Sequence, residues 1–211
     1  MCQVNLIPAS DFDVWAETYD QSVQTNPHFP FTGYESVLAT ILKLANPSAG
    51  QTILDLGTGT GNLALLFAAQ GCQLTCTDFS KPMLAQARRK IPQAEFFLHD
   101  LGLPLPWVDR RFDVIVSAYV FHHFQIEQKI EICRKLLYNN LAEDGKLIIG
   151  DISFASLADQ EVFRQTTSDW DEEFYWLADE SALMFDRAGL EVRYTQLSAC
   201  AGVYQIKHKL Q

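Results

Sequence analysis

The stretch Ile53-Leu54-Asp55-Leu56-Gly57-Thr58-Gly59-Thr60-Gly61-Asn62 constrains this chain more than any other. Apolar Ile53, Leu54 and Leu56 surround one acid, glycines then stand at alternate positions, and apolar residues resume at helical spacing. The pattern predicts a buried strand over 51–56, a tight turn, and a helix over 61–70. Glycine is needed where the backbone takes positive φ or lets a ligand approach closely. A helix N-terminus beyond such a turn presents free N–H groups and a field that favours negative charge. The spacing is Gly-x-Gly-x-Gly, not the Gly-x-Gly-x-x-Gly of dinucleotide-binding turns.

Downstream, strands and helices alternate. Gln73–Thr77 reads as a second strand and Lys81–Lys90 as a helix with Pro82 in its first turn. Ala94–Leu98 reads as a third strand and 112–117 as a fourth, buried on both faces. A helical stripe runs through 125–139, and a fifth strand ends at Gly150. A helix over 178–188 precedes two strands, 190–197 and 203–208, whose short link favours antiparallel pairing. Upstream, Ser10-Asp11-Phe12 opens a short helix ending near Tyr19-Asp20, residues 21–30 read as a loop, and 32–46 as an amphipathic helix.

Asp78 stands at the carboxyl end of the second strand, where open α/β sheets bind ligands. A carboxylate there accepts hydrogen bonds from both hydroxyls of a ribose. The alternative is an acid in the first turn of a helix that Ser80 caps. His122 and His123, just past the fourth strand, are either a general base or hydrogen-bonded residues that shape the loop. Adjacent residues leave a strand end in different directions, so one of the two at most is expected to face a site.

With 211 residues the chain suits one domain. Its net charge of −10 and its pI near 4.8 disfavour a nucleic-acid partner, which needs clustered Lys and Arg. No apolar run approaches the length of a membrane helix, and no basic-then-apolar leader is visible. The five cysteines lack metal-ligand pairing with histidine and read as reduced thiols of a cytoplasmic protein. No metal is expected, because the acids near the site show no second clustered ligand set.

Asp55-Leu56-Gly57-x-Gly59-x-Gly61 resembles the first motif of class I S-adenosylmethionine (SAM)-dependent methyltransferases. Asp78-Phe79-Ser80-x-x-Met83-Leu84 and His99-Asp100-Leu101 resemble later segments of that family, as does Leu141–Gly150 with Asp144 in place of a glycine. The resemblance implies an α/β fold with a Rossmann-like, seven-stranded, mostly parallel sheet. Helices cover both faces and the last strand is antiparallel. A single domain over 1–211 would comprise a helical N-terminal lid (1–46) and a SAM-binding core (47–211). SAM would be held by Gly57, Gly59 and Gly61, by Asp78 at the ribose, by Phe79, Met83, Asp100 and Leu101 around the adenine, and by Ser117 and Tyr19. Asp55 would fix the glycine turn by hydrogen bonds to backbone. His122, His123 and Tyr119 are the catalytic candidates for transfer to a small-molecule acceptor. The acidic, aromatic 169–176 segment either shapes the acceptor pocket or is a solvated face. Two rivals are a SAM-binding protein without transfer and a nicotinamide-dependent oxidoreductase.

Overall fold

In the computed structural model, which describes residues 12–26 and 28–209, the glycine stretch links β1 (Thr52–Leu56) to α3 (Asn62–Ala68). Ahead of β1 lie α1 (Tyr19–Thr25) and α2 (Tyr34–Ala45). After α3 come β2 (Gln73–Asp78), α4 (Lys81–Lys90), β3 (Glu95–Leu98) and β4 (Phe112–Ala118). Then follow α5 (Ile126–Lys135), β5 (Leu141–Phe154), α6 (Leu157–Arg164), β6 (Trp176–Leu177), α7 (Ala178–Arg187), β7 (Leu190–Gln196) and β8 (Ala201–His208).

The sheet runs β3-β2-β1-β4-β5-β8-β7, with two-residue β6 pairing parallel to the end of β5. Strands β1 to β5 are mutually parallel, β8 is antiparallel to β5, and β7 is antiparallel to β8. The reversed strand beside the fifth is therefore present. From β1 the chain builds outward to β3, then returns to place β4 on the other side of β1. Open α/β sheets bind ligands at the carboxyl end of such a reversal.

Alternation along the strands sends residues to two cores. Ile53, Val114, Val116 and Ile148 pack with Val37 and Ile41 of α2 and Phe67 of α3. Leu54, Ile115, Leu147 and Ile149 pack on the other face with Ile130 of α5 and Phe185 of α7. This alternation is what a sheet covered on both faces requires.

The N-terminal expectation needs correcting. Phe12 and Asp13 are helical, but 14–18 form turns, and a helix runs Tyr19–Thr25 through a stretch read as loop. Ser10 and Asp11 lie outside the described residues. The 125–139 stripe divides into α5 and a π-helical turn, Leu136–Asn140, whose Asn140 side chain donates to the Trp107 and Arg110 carbonyls. Asp144, in place of a glycine, does not take up left-handed backbone: among the described residues only Asn46 and Tyr119 do so without being glycine, and Asp144 lies within β5. Helix α6 had no clear signal, because its apolar residues Leu157 and Val162 are exposed.

Helix α2 seats directly on β5. A Cβ at Gly150 would stand 2.3 Å from Val37 Cγ1 and 2.8 Å from Ile41 Cδ1. Gly150→Ala is therefore expected to destabilise the fold by about 1–3 kcal/mol through overpacking, read as a lower urea midpoint. An unchanged midpoint would show that α2 does not press on this strand.

Candidate active site

The turn after β1 is held by its neighbours. Thr58 N–H donates to the Thr77 carbonyl at 2.8 Å, and the Thr58 hydroxyl donates to the Asp55 carbonyl at 3.0 Å. Asp78, at the end of β2, accepts from Gly59 N–H through Oδ2 and from Ser80 N–H through Oδ1, each at 2.8 Å. Gly57, Gly59 and Gly61 have φ of 65°, 55° and 88°. Gly57 permits close approach as well as a turn, since a Cβ there would lie 2.3 Å from Val120 Cγ2. At Gly59 a Cβ would meet open space, so positive φ alone calls for glycine and the backbone faces a cleft.

That cleft encloses about 510 Å³ of empty space including its open mouth. Asp55, Gly57, Gly59, Asp78, Met83, Tyr19 and Tyr119 line it, joined by Tyr34, Thr60, Asn62 and Phe12. Asp55 is 1 % exposed and its Oδ2 has no hydrogen-bond partner among the described residues. Burial pushes the Asp55 carboxyl up to about 7 and the Asp78 carboxyl up to about 6. The Asp55 carbonyl accepts from the Thr58 hydroxyl in the turn, and the Thr58 side chain also holds the Asp55 carboxyl lower than burial alone would.

The N-terminal segment is tied across this turn. Asp20 accepts from the Thr60 hydroxyl at 2.6 Å and pairs with Lys90 at 2.5 Å. Lys90 also donates to Asn62 Oδ1, and Asn62 Nδ2 donates to the Tyr34 hydroxyl. Asp13 accepts from the Ser80 hydroxyl at 2.6 Å, and the Phe12 and Phe79 rings lie 5.1 Å apart. Ser80 also caps α4, accepting from Met83 N–H, so the helix-capping and ligand-facing readings of this segment coexist.

Other expected residues sit around the cleft rather than in its wall. Ser117 is fully buried with its hydroxyl donating to the Leu56 carbonyl, and Ala118 reaches the cleft instead. Gly61 caps α3 and packs on Ala87. Asp100 turns back to accept from Gly102 N–H, and Leu101 faces a separate groove beside Trp107. Phe79 and the two histidines border the cleft through Phe12, whose ring lies 5.5 Å from that of His123.

Tyr119 is one of two non-glycine residues with positive φ among those described, at 58°, and its hydroxyl is buried without a partner. Such strain concentrates at functional sites. Its ring stacks on that of Tyr34 at 5.1 Å, and burial raises its phenol well above the ordinary range.

Past Tyr119 the chain makes one 3₁₀ turn, Phe121–His123, instead of leaving extended. The two imidazoles therefore lie together, ring centres 4.0 Å apart, and both reach Glu173. The two rings therefore do not diverge as they would from an extended strand end, and neither lines the cleft. His122 Nδ1 lies 2.5 Å from Asp151 Oδ1. Asp151 is completely buried and also accepts from His122 N–H, Trp176 Nε1 and Ile152 N–H. Burial pushes His122 down, but the charge and hydrogen bond of Asp151, together with the charge of Glu173, outweigh it and the net shift is upward. His123 is lowered by burial and by its neighbour His122. Burial would raise Glu173, yet the two histidines hold it below the usual range. Glu173 itself escaped the sequence reading because no local pattern ties the 169–176 segment to a strand end fifty residues earlier.

Residues 53–145 match the methyltransferase domain family. An uncharacterized methyltransferase of Geobacillus thermodenitrificans is 31% identical over 210 residues, covering 92% of this chain and 94% of that protein. One of Alkaliphilus oremlandii is 36% identical, covering 69% of this chain and 67% of that protein. Among solved structures, the DhpI–SAM–HEP complex superposes with a TM-score of 0.74 at 17% identity, covering 98% of this chain and all of that one. Magnesium protoporphyrin IX methyltransferase from Synechocystis, with bound SAH, gives 0.72 at 15% identity, covering 95% and 98%. The alternate glycines, the acid after β2, the sheet order and these relatives converge: the chain belongs to the class I SAM-dependent methyltransferases.

Proposed function

We propose that the chain methylates a small-molecule acceptor in the cytoplasm, with the cofactor across the carboxyl ends of β1 and β2. The observation that carries the placement is Asp78. Its carboxylate clamps the Gly59 backbone from the end of the neighbouring strand, and its remaining lone pairs border the cleft. Around it stand groups suited to a cationic, hydroxyl-rich ligand: the unpartnered Asp55 Oδ2 and the stacked rings of Tyr34 and Tyr119. The four described cysteines are free, and no described helix is long and apolar enough to cross a membrane.

Bound SAM supplies a methyl group already activated by its sulfonium. What the chain then contributes is orientation and exclusion of water. In this reading Gly57 and Gly59 let backbone approach the cofactor, Asp78 holds the ribose, and Met83 with Phe79 flanks the adenine. Asp100 and Leu101 take part at the cleft's outer rim, and Gly61 and Ser117 support the turn from beneath. The segment through Phe12 and Tyr19 is the lid, fastened by Asp13 and Asp20. The acceptor enters on the side of Tyr119, His122 and His123, where the buried Tyr119 hydroxyl has an unused hydrogen bond.

Asp78→Asn is expected to raise the SAM dissociation constant by about 10- to 100-fold, the loss of a charge-assisted hydrogen bond, measured by calorimetry. Wild-type affinity in that variant would place the cofactor elsewhere. The buried acids give a pH signature. A cation binds better beside an ionised carboxylate, and Asp55 and Asp78 ionise near 7 and 6. SAM affinity is therefore expected to rise with pH from about 5 and level off above about 8. Asp55→Asn should flatten the upper part of that rise, whereas an unaltered profile would separate Asp55 from the ligand. Incubation of the protein and SAM with fractionated small-molecule extracts should release S-adenosylhomocysteine in one fraction. Release only with a macromolecular fraction would overturn the acceptor class.

A further inference from the structure

We propose that His122, His123 and Glu173 form a binding site for a divalent first-row transition metal ion beside the methyl-transfer cleft. The three side chains converge from separate parts of the chain, and one ligand atom from each lies within 4.8 Å of the others. His122 Nε2 stands 3.4 Å from Glu173 Oε2, and His123 Nδ1 stands 3.2 Å from Glu173 Oε1. Two atoms each about 2.0–2.1 Å from a tetrahedral ion are about 3.3 Å apart, and each imidazole nitrogen stands at about that distance from a different oxygen of Glu173. Both separations are longer than the 2.7–2.9 Å typical of charge-assisted N–H···O bonds. His123 Nδ1 is buried without a well-formed hydrogen bond among the described residues.

The surroundings favour an ion over a plain ion pair. His122 Nδ1 is engaged by Asp151, so Nε2 is the nitrogen that faces Glu173. A carboxylate behind a metal-binding imidazole fixes its tautomer and strengthens it as a ligand. Asp151 is anchored by Trp176 Nε1 and two backbone N–H groups, so the imidazole is not free to turn. Glu173 is positioned from the next residue: Phe174 N–H donates to the His122 carbonyl at 2.9 Å, and Lys129 Nζ donates to the Phe174 carbonyl at 2.5 Å. Glu173 and His123 keep side-chain exposures of 20% and 16%, which leaves an entry path. Two histidines and one carboxylate leave coordination positions open. On the proposed function, an acceptor bearing an oxygen, nitrogen or sulfur donor would fill one of them, and its acidity would rise on the ion. That use rests on the methyl-transfer reading; the ion site itself does not.

The test uses tag-free full-length protein stripped with a chelator, then titrated with Zn²⁺ against a chromophoric competitor and with Co²⁺ followed by absorption. One Zn²⁺ per chain and Co²⁺ bands of a low-symmetry site are expected. Glu173→Gln and His123→Ala should each weaken Zn²⁺ at least tenfold, and Asp151→Asn by about 10- to 100-fold through the imidazole behind it. SAM calorimetry on each variant checks the fold, and should His122→Ala not fold, the rim variant Glu173→Gln decides. Substoichiometric Zn²⁺, or equal affinity in wild type, Glu173→Gln and His123→Ala, would overturn the site. Zn²⁺ binding without SAM binding would uphold the site and overturn the cofactor placement; SAM binding without Zn²⁺ would do the reverse.

Discussion

The hydrogen bonds from Gly59 and Ser80 to one carboxylate hold this site together. Asp78 ends β2, Gly59 lies in the turn after β1, and Ser80 starts α4. One side chain thus fixes the relative position of a strand end, a turn and a helix start. The parallel pairing of β1 with β2 brings them within reach, with Leu56 beside Thr77. Burying this acid costs solvation, and the backbone donors offset that cost only in part, which is why its carboxyl remains raised to about 6. A cation beside it and beside Asp55 would complete the compensation.

The strand–turn–helix around the glycines was legible because it is local in sequence. Strand, glycine turn and helix are contiguous, and Asp78 is the last residue of its strand. Helix α4 came out at Lys81–Lys90 because Ser80 and Pro82 mark its start. Boundaries failed where tertiary contacts override local preference. Helix α1 extends through polar residues because Asp20 and Tyr19 are held against the turn and against Phe31. Ser117, whose small polar side chain suggested ligand contact, serves the Leu56 carbonyl between strands.

The cluster of His122, His123, Asp151 and Glu173 was not legible because it is assembled from distant segments. Asp151 lies within β5, which runs on past Gly150 to Phe154, the histidines follow β4, and Glu173 precedes β6. Only the parallel β4–β5 pairing sets Ala118 beside Gly150 and so brings the imidazole of His122 onto Asp151. The 3₁₀ turn then decides that both rings point the same way, a detail that no residue pattern announces. Tyr119 joins the two halves: its ring packs with Tyr34 at the cofactor cleft, and the Asp151 charge acts on its phenol.

The most direct test of this arrangement is a crystal structure of the protein grown with S-adenosylhomocysteine. The account requires electron density for the ribose within hydrogen-bonding distance of Asp78, and the amino-acid portion against Gly57 and Gly59 near Asp55. Density for the nucleoside anywhere else on the sheet, or a ribose whose hydroxyls are held by some other carboxylate, would contradict it.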